Sequence, residues 1–338
     1  MSRIAGLLIA LLSLAQMSGC GKSTEIVRLD GPTMGTTWSA RFAAHRAIDR
    51  EVVLQAIRTE LEDVVVQMST WRRDSLISRY NNAAAGTWHE LPESFAIVLE
   101  AALALAAATG GHYDPTVGPL VDLWGFGPGG RRDKPPAAAD IAAAKARVGW
   151  QRIQFEAGTR RLLQPGGLRL DLSSIAEGFA VDRMGEALER LGIDAYLVEI
   201  GGELRARGKR PDGMPWRVAI EQPDSGDVPV TVVPLQDLSI ATSGDYRKFF
   251  EFAGRRYSHA IDPHTGYPVQ HGLAAVTVSA STCMEAGSTA TALSVLGPQR
   301  GFDYAVRNDI AARLVIRDGP SGFTVRETPA FTALVDAH

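Results

Sequence analysis

Cysteine is nearly missing from this sequence: its 338 residues hold only Cys20 and Cys283, in unrelated surroundings. A disulfide framework and a zinc site built from cysteine pairs are thereby excluded. No histidine pair has the spacing of a zinc protease helix, and no serine sits in a nucleophile elbow. The glycine-rich loops match neither the dinucleotide fingerprint nor the phosphate loop in full. An excess of one charge is lacking too. Lys and Arg number 35 against 38 Asp and Glu, a formal charge of -3, so the whole chain carries no electrostatic footprint for nucleic acid. Arg72-Arg73 and Arg131-Arg132 read as solvated surface. Repeats and long linkers are absent, and the one long apolar run, Ile4 to Ala15, is too short for a retained membrane span.

With 45% hydrophobic residues, the chain has enough apolar material for a sizeable core, in one large domain or two closely joined ones. Arg3, the apolar run and the small residues Ser18 and Gly19 before Cys20 have the order of a secretory signal. A cysteine directly after the small residues is the pattern of a bacterial lipoprotein. The expectation is a signal peptide over 1–19, acylation of Cys20 and a tether over 20–25. The folded domain is then 26–338, held at a membrane surface by its acyl chains.

Apolar residues at helical spacing predict a helix over Ala47 to Val66, from Ile48, Val52, Leu54, Ile57, Leu61 and Val65. An alanine-rich helix follows over Leu91 to Thr109, closed by Gly110-Gly111. A short helix capped near Asp74 comes before it, and a helix over Phe179 to Leu191, capped by Asp171 or Ser173, comes after it. Arg131 to Ala146 reads as a surface segment with a short helix. Alternating strand patterns recur at Ile26 to Leu29, Thr37 to Phe42, Val148 to Trp150, Ile153 to Phe155, Ala195 to Ile200, Trp216 to Ile220, Val228 to Val233 and Leu273 to Ser279. A helix over Glu285 to Leu296 and closing strands Ala312 to Ile316 and Gly322 to Arg326 complete the chain. The fold class is α+β, with helices packed on mixed or antiparallel sheets.

The polar groups concentrate between Ala241 and Gly297. Ser243-Gly244-Asp245-Tyr246 is followed by Tyr257-Ser258-His259-Ala260-Ile261-Asp262-Pro263-His264-Thr265-Gly266, then by an alanine- and threonine-rich helix. His259 stands close to Asp262, where Pro263 forces strand into turn. Small hydroxyl residues, a Gly-Asp turn and a histidine beside an aspartate suit a phosphate-and-metal site. Elsewhere, Asp171 and Ser174 in one loop and Thr291 on a helix are hard oxygen donors, which favour magnesium with a phosphate over zinc. The helix beginning near Asp171 points its first amides at whatever lies beyond, an inexpensive place for an anion.

Taken in order, Gly31-Pro32-Thr33-Met34-Gly35-Thr36, Tyr113-Asp114-Pro115-Thr116-Val117-Gly118-Pro119-Leu120, Asp171-Leu172-Ser173-Ser174-Ile175-Ala176-Glu177-Gly178, Gly201-Gly202-Glu203, Ser243-Gly244-Asp245-Tyr246 and His259-Ala260-Ile261-Asp262-Pro263-His264-Thr265-Gly266 resemble the ApbE family of FAD:protein FMN transferases. The resemblance spans nearly the whole mature chain. It implies an ApbE-like, T-fold-like architecture and cleavage of FAD at its pyrophosphate with Mg2+. FMN is joined through its phosphate to a threonine or serine hydroxyl of a client flavoprotein, and AMP leaves. Such enzymes are periplasm-facing lipoproteins, and their clients face the periplasm from the inner membrane. Carried over by position, Met34, Trp71 and the loop His112, Tyr113, Asp114 hold flavin and nucleotide; Asp171, Glu177 and Ile261 also contact FAD. Ser174 offers its main-chain carbonyl to the metal, and Thr291 its side chain. His259 takes the part of proton shuttle or phosphate contact.

Two positions depart from the family pattern. Many relatives have lysine where this chain has Glu177. On the helix after Cys283, Gly287 stands where the pattern has an aspartate that joins Thr291 at the metal. Loss of that charge predicts weaker magnesium binding and slow transfer, relieved by Asp at 287, unless a ligand elsewhere compensates. Two other readings are an FAD hydrolase releasing FMN and AMP to water, and a non-catalytic FAD-binding lipoprotein.

Overall fold

The computed structural model describes residues 25–44, 48–220, 223, 231–246, 248–319 and 322–336. The expected leader and Cys20 lie outside the described residues. Strand β1 (Glu25–Thr33) pairs antiparallel with β2 (Thr36–Ala44) in unbroken register to Thr33 opposite Thr36. That leaves Met34 and Gly35 as a two-residue turn, both at positive φ (47° and 75°), as a hairpin of primed turn type requires. Pro32 is accommodated because β1 lies at the edge of its sheet.

Helix α1 (Arg50–Met68) is capped by Asp49, whose carboxylate accepts from the Glu51 amide, and buries Val53, Ile57, Leu61 and Val64. Of the apolar stripe read from the sequence, Ile57 and Leu61 are buried, while Val53 and Val64 take the places expected of Val52 and Val65, and Val52 faces outward. Helix α2 (Leu76–Asn81) is capped near Asp74 as expected, by the adjacent Ser75, while the Asp74 carboxylate meets Arg72 at 2.9 Å. Strand β3 (Thr87–Glu90) and helix α3 (Glu93–Ala108) follow, then α4 (Gly118–Leu123) and α5 (Ala138–Lys145). Helix α5 is not mere surface: Ile141 and Ala144 are buried against Leu120, Trp124, Tyr257 and Ile261. The segment at Trp150 is a single 3-10 turn rather than a strand. β4 (Gln154–Glu156) and β5 (Arg161–Gln164) form a small sheet with β3.

The second half alternates long helices with strands of the main sheet. Helix α6 (Ser173–Arg190) precedes β6 (Tyr196–Ile200) and β7 (Glu203–Arg207), which turn back at Gly201-Gly202. β8 (Trp216–Ala219) and β9 (Val232–Leu235) make a separate ribbon, followed by β10 (Ser239–Gly244). The hairpin β11 (Phe249–Phe252) with β12 (Arg255–Ser258) and the short pair β13 (Ile261–Asp262) with β14 (Tyr267–Pro268) stand off the main sheet. β15 (Leu273–Ala280), α7 (Cys283–Leu296), α8 (Arg300–Arg307), β16 (Ala311–Asp318), β17 (Gly322–Glu327) and α9 (Pro329–Asp336) close the chain. The sequence reading missed α9.

Eight strands form the main sheet in the order β1-β2-β6-β7-β10-β15-β16-β17, every neighbouring pair antiparallel. Successive side chains leave a strand on opposite faces. On β6, Tyr196, Val198 and Ile200 join the large core with α1, α3 and α6, whereas Leu197 joins a second core with β8, β9 and Phe331 of α9. Covering both faces explains why β6 reads as a continuous apolar run rather than an alternation. α7 and α8 pack on β15 and β16 in a third core. The α+β class with antiparallel sheets and packed helices is the one expected. Among the described residues, no helix is long and apolar enough to cross a membrane.

Candidate functional site

The loop after α3 is built by its own polar groups. Gly110 and Gly111 take positive φ (60° and 82°), and the Gly111 amide reaches back to the Ala106 carbonyl at 2.8 Å. The Thr109 carbonyl accepts from His112 Nδ1 at 2.9 Å, and Thr109 Oγ1 accepts from the Tyr113 amide at 3.2 Å. Asp114 is buried; its Oδ1 accepts from the Thr116 amide (2.8 Å) and hydroxyl (2.6 Å), and its Oδ2 from the Trp150 amide (3.1 Å). Burial raises the Asp114 pKa above the usual carboxylate range, against the pull of these donors. The Asp114 carboxylate is therefore a brace of the loop. The His112 ring lies 4.5 Å from that of His264, whose Nε2 donates to the Gly110 carbonyl at 3.1 Å. Two loops far apart in sequence meet through these histidines.

The start of α6 adjoins this loop. The Asp171 amide donates to the Pro115 carbonyl at 2.8 Å, and Asp171 Oδ1 accepts from the Ser173 amide at 2.9 Å. Ser174 Oγ lies 3.4 Å from the Tyr113 hydroxyl, so Tyr113, Asp171 and Ser174 are brought together. Burial pushes the Tyr113 hydroxyl well above its ordinary pKa, which keeps it neutral. At Gly178 the backbone of α7 comes so close, at Cys283 and Met284, that no side chain could fit. One turn on, Asp182 accepts from the Cys283 and Met284 amides at 2.9 Å each, and Arg205 Nη1 meets it at 3.0 Å. The carboxylate thus satisfies the open amides of the α7 N-terminus and pins α7 to α6.

Around that junction stand further carboxylates. Glu177 reaches Gly201. Glu203, at the start of β7, lies against α7: a Cβ built on Gly287 would sit 2.7 Å from its Oε2 and 2.8 Å from its Oε1. Glu203 Oε2 also lies 3.9 Å from Cys283 Sγ. Burial, then Glu203, Asp182 and Glu177, push the Cys283 thiol far up, so it stays protonated and unreactive. Glu285 turns away to Ser281, as its position on the helix suggested. Beside the Gly201-Gly202 turn a cleft of about 460 Å³ opens, lined in part by Thr36, Thr37, Glu199 and Thr242.

The stretch from 243 to 268 is arranged differently from its sequence reading. Asp245 faces Arg317 on β16 in a two-pronged ion pair (2.7 and 2.6 Å), so its carboxylate fixes the end of β10. Asp262 does not meet His259; its Oδ1 accepts from the His264 amide at 2.9 Å and forms the turn before Gly266. His259 Nδ1 lies 3.2 Å from the Lys248 carbonyl, which only accepts, so the proton is on Nδ1 and Nε2 carries a lone pair. Burial, then the Lys248 charge, lowers the His259 pKa, leaving the ring neutral. The Ile261 side chain is buried with Leu120, Trp124 and Tyr257, so only its main chain faces outward. Trp124 Nε1 donates to the Gly266 carbonyl at 2.9 Å, and the buried indole anchors this loop. Met34 packs partly against the main core, and Trp71 stands 66% exposed beyond the end of α1.

The ApbE family profile matches residues 34–314. The FAD:protein FMN transferase of Haemophilus influenzae is 40% identical over 99% of both chains, and that of Vibrio cholerae 43% identical over 92% of this chain and 93% of its own. The apo crystal structure of the Pseudomonas stutzeri flavinyl transferase ApbE superposes with a TM-score of 0.86 at 42% identity, covering 93% of this chain and 98% of that one. Family profile, full-length relatives and fold agree, and this chain belongs to the ApbE family.

Proposed function

We propose that this protein transfers FMN from FAD to a threonine or serine hydroxyl of a client flavoprotein, with AMP as the leaving group and Mg2+ as the metal. The observation that carries the reading is the meeting of three separated segments: the His112 to Thr116 loop, the α6 start at Asp171 and Ser174, and the His259 to Gly266 loop. The relatives named above carry the same activity in their names. In this reading Met34, Trp71 and the His112 loop contact flavin and nucleotide, with Tyr113 and Asp114 holding that loop in shape. Asp171, Glu177 and the main chain of Ile261 complete the FAD contacts.

Among the described residues, no group of three or more His, Cys, Asp or Glu side chains is arranged to hold a metal. The proposed donors are therefore oxygens of other kinds, the Ser174 carbonyl and the Thr291 hydroxyl, the latter one turn after Gly287, where a Cβ would fill a notch. This all-oxygen donor set fits Mg2+. When bound, Mg2+ neutralises pyrophosphate charge and stabilises the departing AMP.

The chain's own residues supply position and a proton acceptor. The client hydroxyl oxygen forms a bond to the FMN phosphorus as the bond from that phosphorus to the bridging pyrophosphate oxygen breaks. His259, neutral and held through Nδ1, takes the hydroxyl proton at Nε2. AMP leaves with the electron pair. The anchor is placed at Cys20, acylated after removal of 1–19, which puts the enzyme on the periplasmic side of the inner membrane beside its client. The test is AMP release from FAD by the purified full-length protein as Mg2+ is titrated, with and without a client bearing an acceptor threonine. AMP that rises with both Mg2+ and client supports transfer. Release indifferent to the client indicates hydrolysis, and FAD bound without any AMP indicates a binding protein.

A further inference from the structure

Gly287 and Glu203 form a matched pair. Gly287 is buried on α7, one turn after Cys283 and one turn before Thr291, so it shares a helix face with Thr291. The missing side chain leaves a notch, and the Glu203 carboxylate lies in it, both oxygens within 3 Å of where a Cβ would be. Glu203 arrives there because the Gly201-Gly202 turn, with φ of 56° and 96°, brings the start of β7 over α7. Glu177, on the same α6 turn as Ser174, reaches Gly201 from the other side. A carboxylate is thus delivered to the Thr291 face of α7 from a neighbouring strand, at the position where α7 itself offers only backbone.

We infer that Glu203 is the charged oxygen donor of the magnesium site in this protein, and that Gly287 serves to admit it. The inference rests on the metal reading given above. A third oxygen completes a set with the Ser174 carbonyl and the Thr291 hydroxyl, and a hard divalent ion held by neutral donors alone binds weakly. The carboxylate is the far end of a flexible side chain, so a methyl group at 287 displaces it without forcing the helix apart. Gly287→Ala therefore removes the donor from its place while leaving it in the chain, and Glu203→Gln removes its charge while leaving its shape.

The experiment measures Mg2+ binding to the full-length protein by isothermal titration calorimetry, with bound Mn2+ counted by electron paramagnetic resonance. Wild type, E203Q and G287A are compared, each with a thermal melt in chelator. E203Q is expected to weaken Mg2+ by on the order of tenfold or more. G287A is expected to weaken it as well, although alanine favours the helix, with an unchanged or higher melting temperature in chelator. Wild-type affinity in both variants overturns the inference and leaves the transferase reading intact. If E203Q folds poorly, G287A alone decides. A wild-type protein that binds neither Mg2+ nor Mn2+ refutes the underlying metal reading, and this inference with it.

Discussion

Placing aspartate at 287 is the most informative single change in this chain, because sequence and structure predict different results from it. Read from sequence, Gly287→Asp restores a missing metal ligand and should help. In the structure its Cβ would lie 2.7 Å from one Glu203 oxygen and 2.8 Å from the other, so two carboxylates must share one notch. At a separation of about 4 Å and an effective dielectric near 20, the repulsion is about 4 kcal/mol. Swinging Glu203 to about 8 Å halves it to about 2 kcal/mol. Replacing glycine in a helix interior returns a few tenths of a kcal/mol for aspartate and about 1 kcal/mol for alanine. Without metal at neutral pH, G287D is therefore expected to be about 2 to 3 kcal/mol less stable than G287A, the control that carries the same Cβ without the charge. The assay is urea unfolding in chelator, repeated at pH near 5 and with saturating Mg2+. The gap should narrow in both conditions, as one carboxylate is protonated or as a cation bridges the pair. Equal stability of G287D and G287A in chelator would refute the placement of Glu203.

Further outcomes follow from the same geometry. His259→Gln should lower kcat by roughly 10²- to 10⁴-fold, the range of a lost general base, with little change in FAD affinity. Since the fold lowers the His259 pKa, the wild-type ring stays neutral below pH 6.5, and the acid limb of kcat/KM should lie below that value. The unfolded chain takes up this proton first as pH falls, so His259 also makes stability decline through the same acid window. Asp245→Asn, which breaks the partly buried pair with Arg317, should cost about 2 kcal/mol in denaturant melts while leaving Mg2+ affinity unchanged. Trp124→Ala should cost about 3 to 5 kcal/mol and raise the KM for FAD, because the fully buried indole anchors the His264 loop at Gly266.

The long elements were legible because their apolar residues repeat at a local period. α1, α3 and α7 appear within a few residues of their expected limits, whereas α6 begins at Ser173, well before the expected Phe179, with Leu172 rather than Asp171 or Ser173 at its N-cap. What sequence could not show is which polar side chain meets which. Ser243-Gly244-Asp245 looks like a ligand loop, yet Asp245 serves Arg317, a partner on a distant strand. His259 and Asp262 are near neighbours in sequence, but strand into turn sends them to different carbonyl and amide partners. Arg131 to Ala146 reads as surface, yet Ile141 and Ala144 are buried in a cluster with Leu120, Trp124, Tyr257 and Ile261, residues that only the tertiary fold brings to this helix. Glu203 was visible as part of a Gly-Gly-Glu turn. Its position over Gly287 depends on how β7 crosses α7, which no local pattern encodes.

In the proposed reaction FMN moves intact onto a protein hydroxyl. The most direct measurement is in-gel flavin fluorescence and intact mass of a purified client after incubation with the full-length protein, FAD and Mg2+, beside the same client with its acceptor threonine changed to alanine. The expected result is a fluorescent client heavier by one FMN phosphoester, one AMP released per client modified, and no label on the alanine variant. Free FMN and AMP with an unmodified client would contradict it.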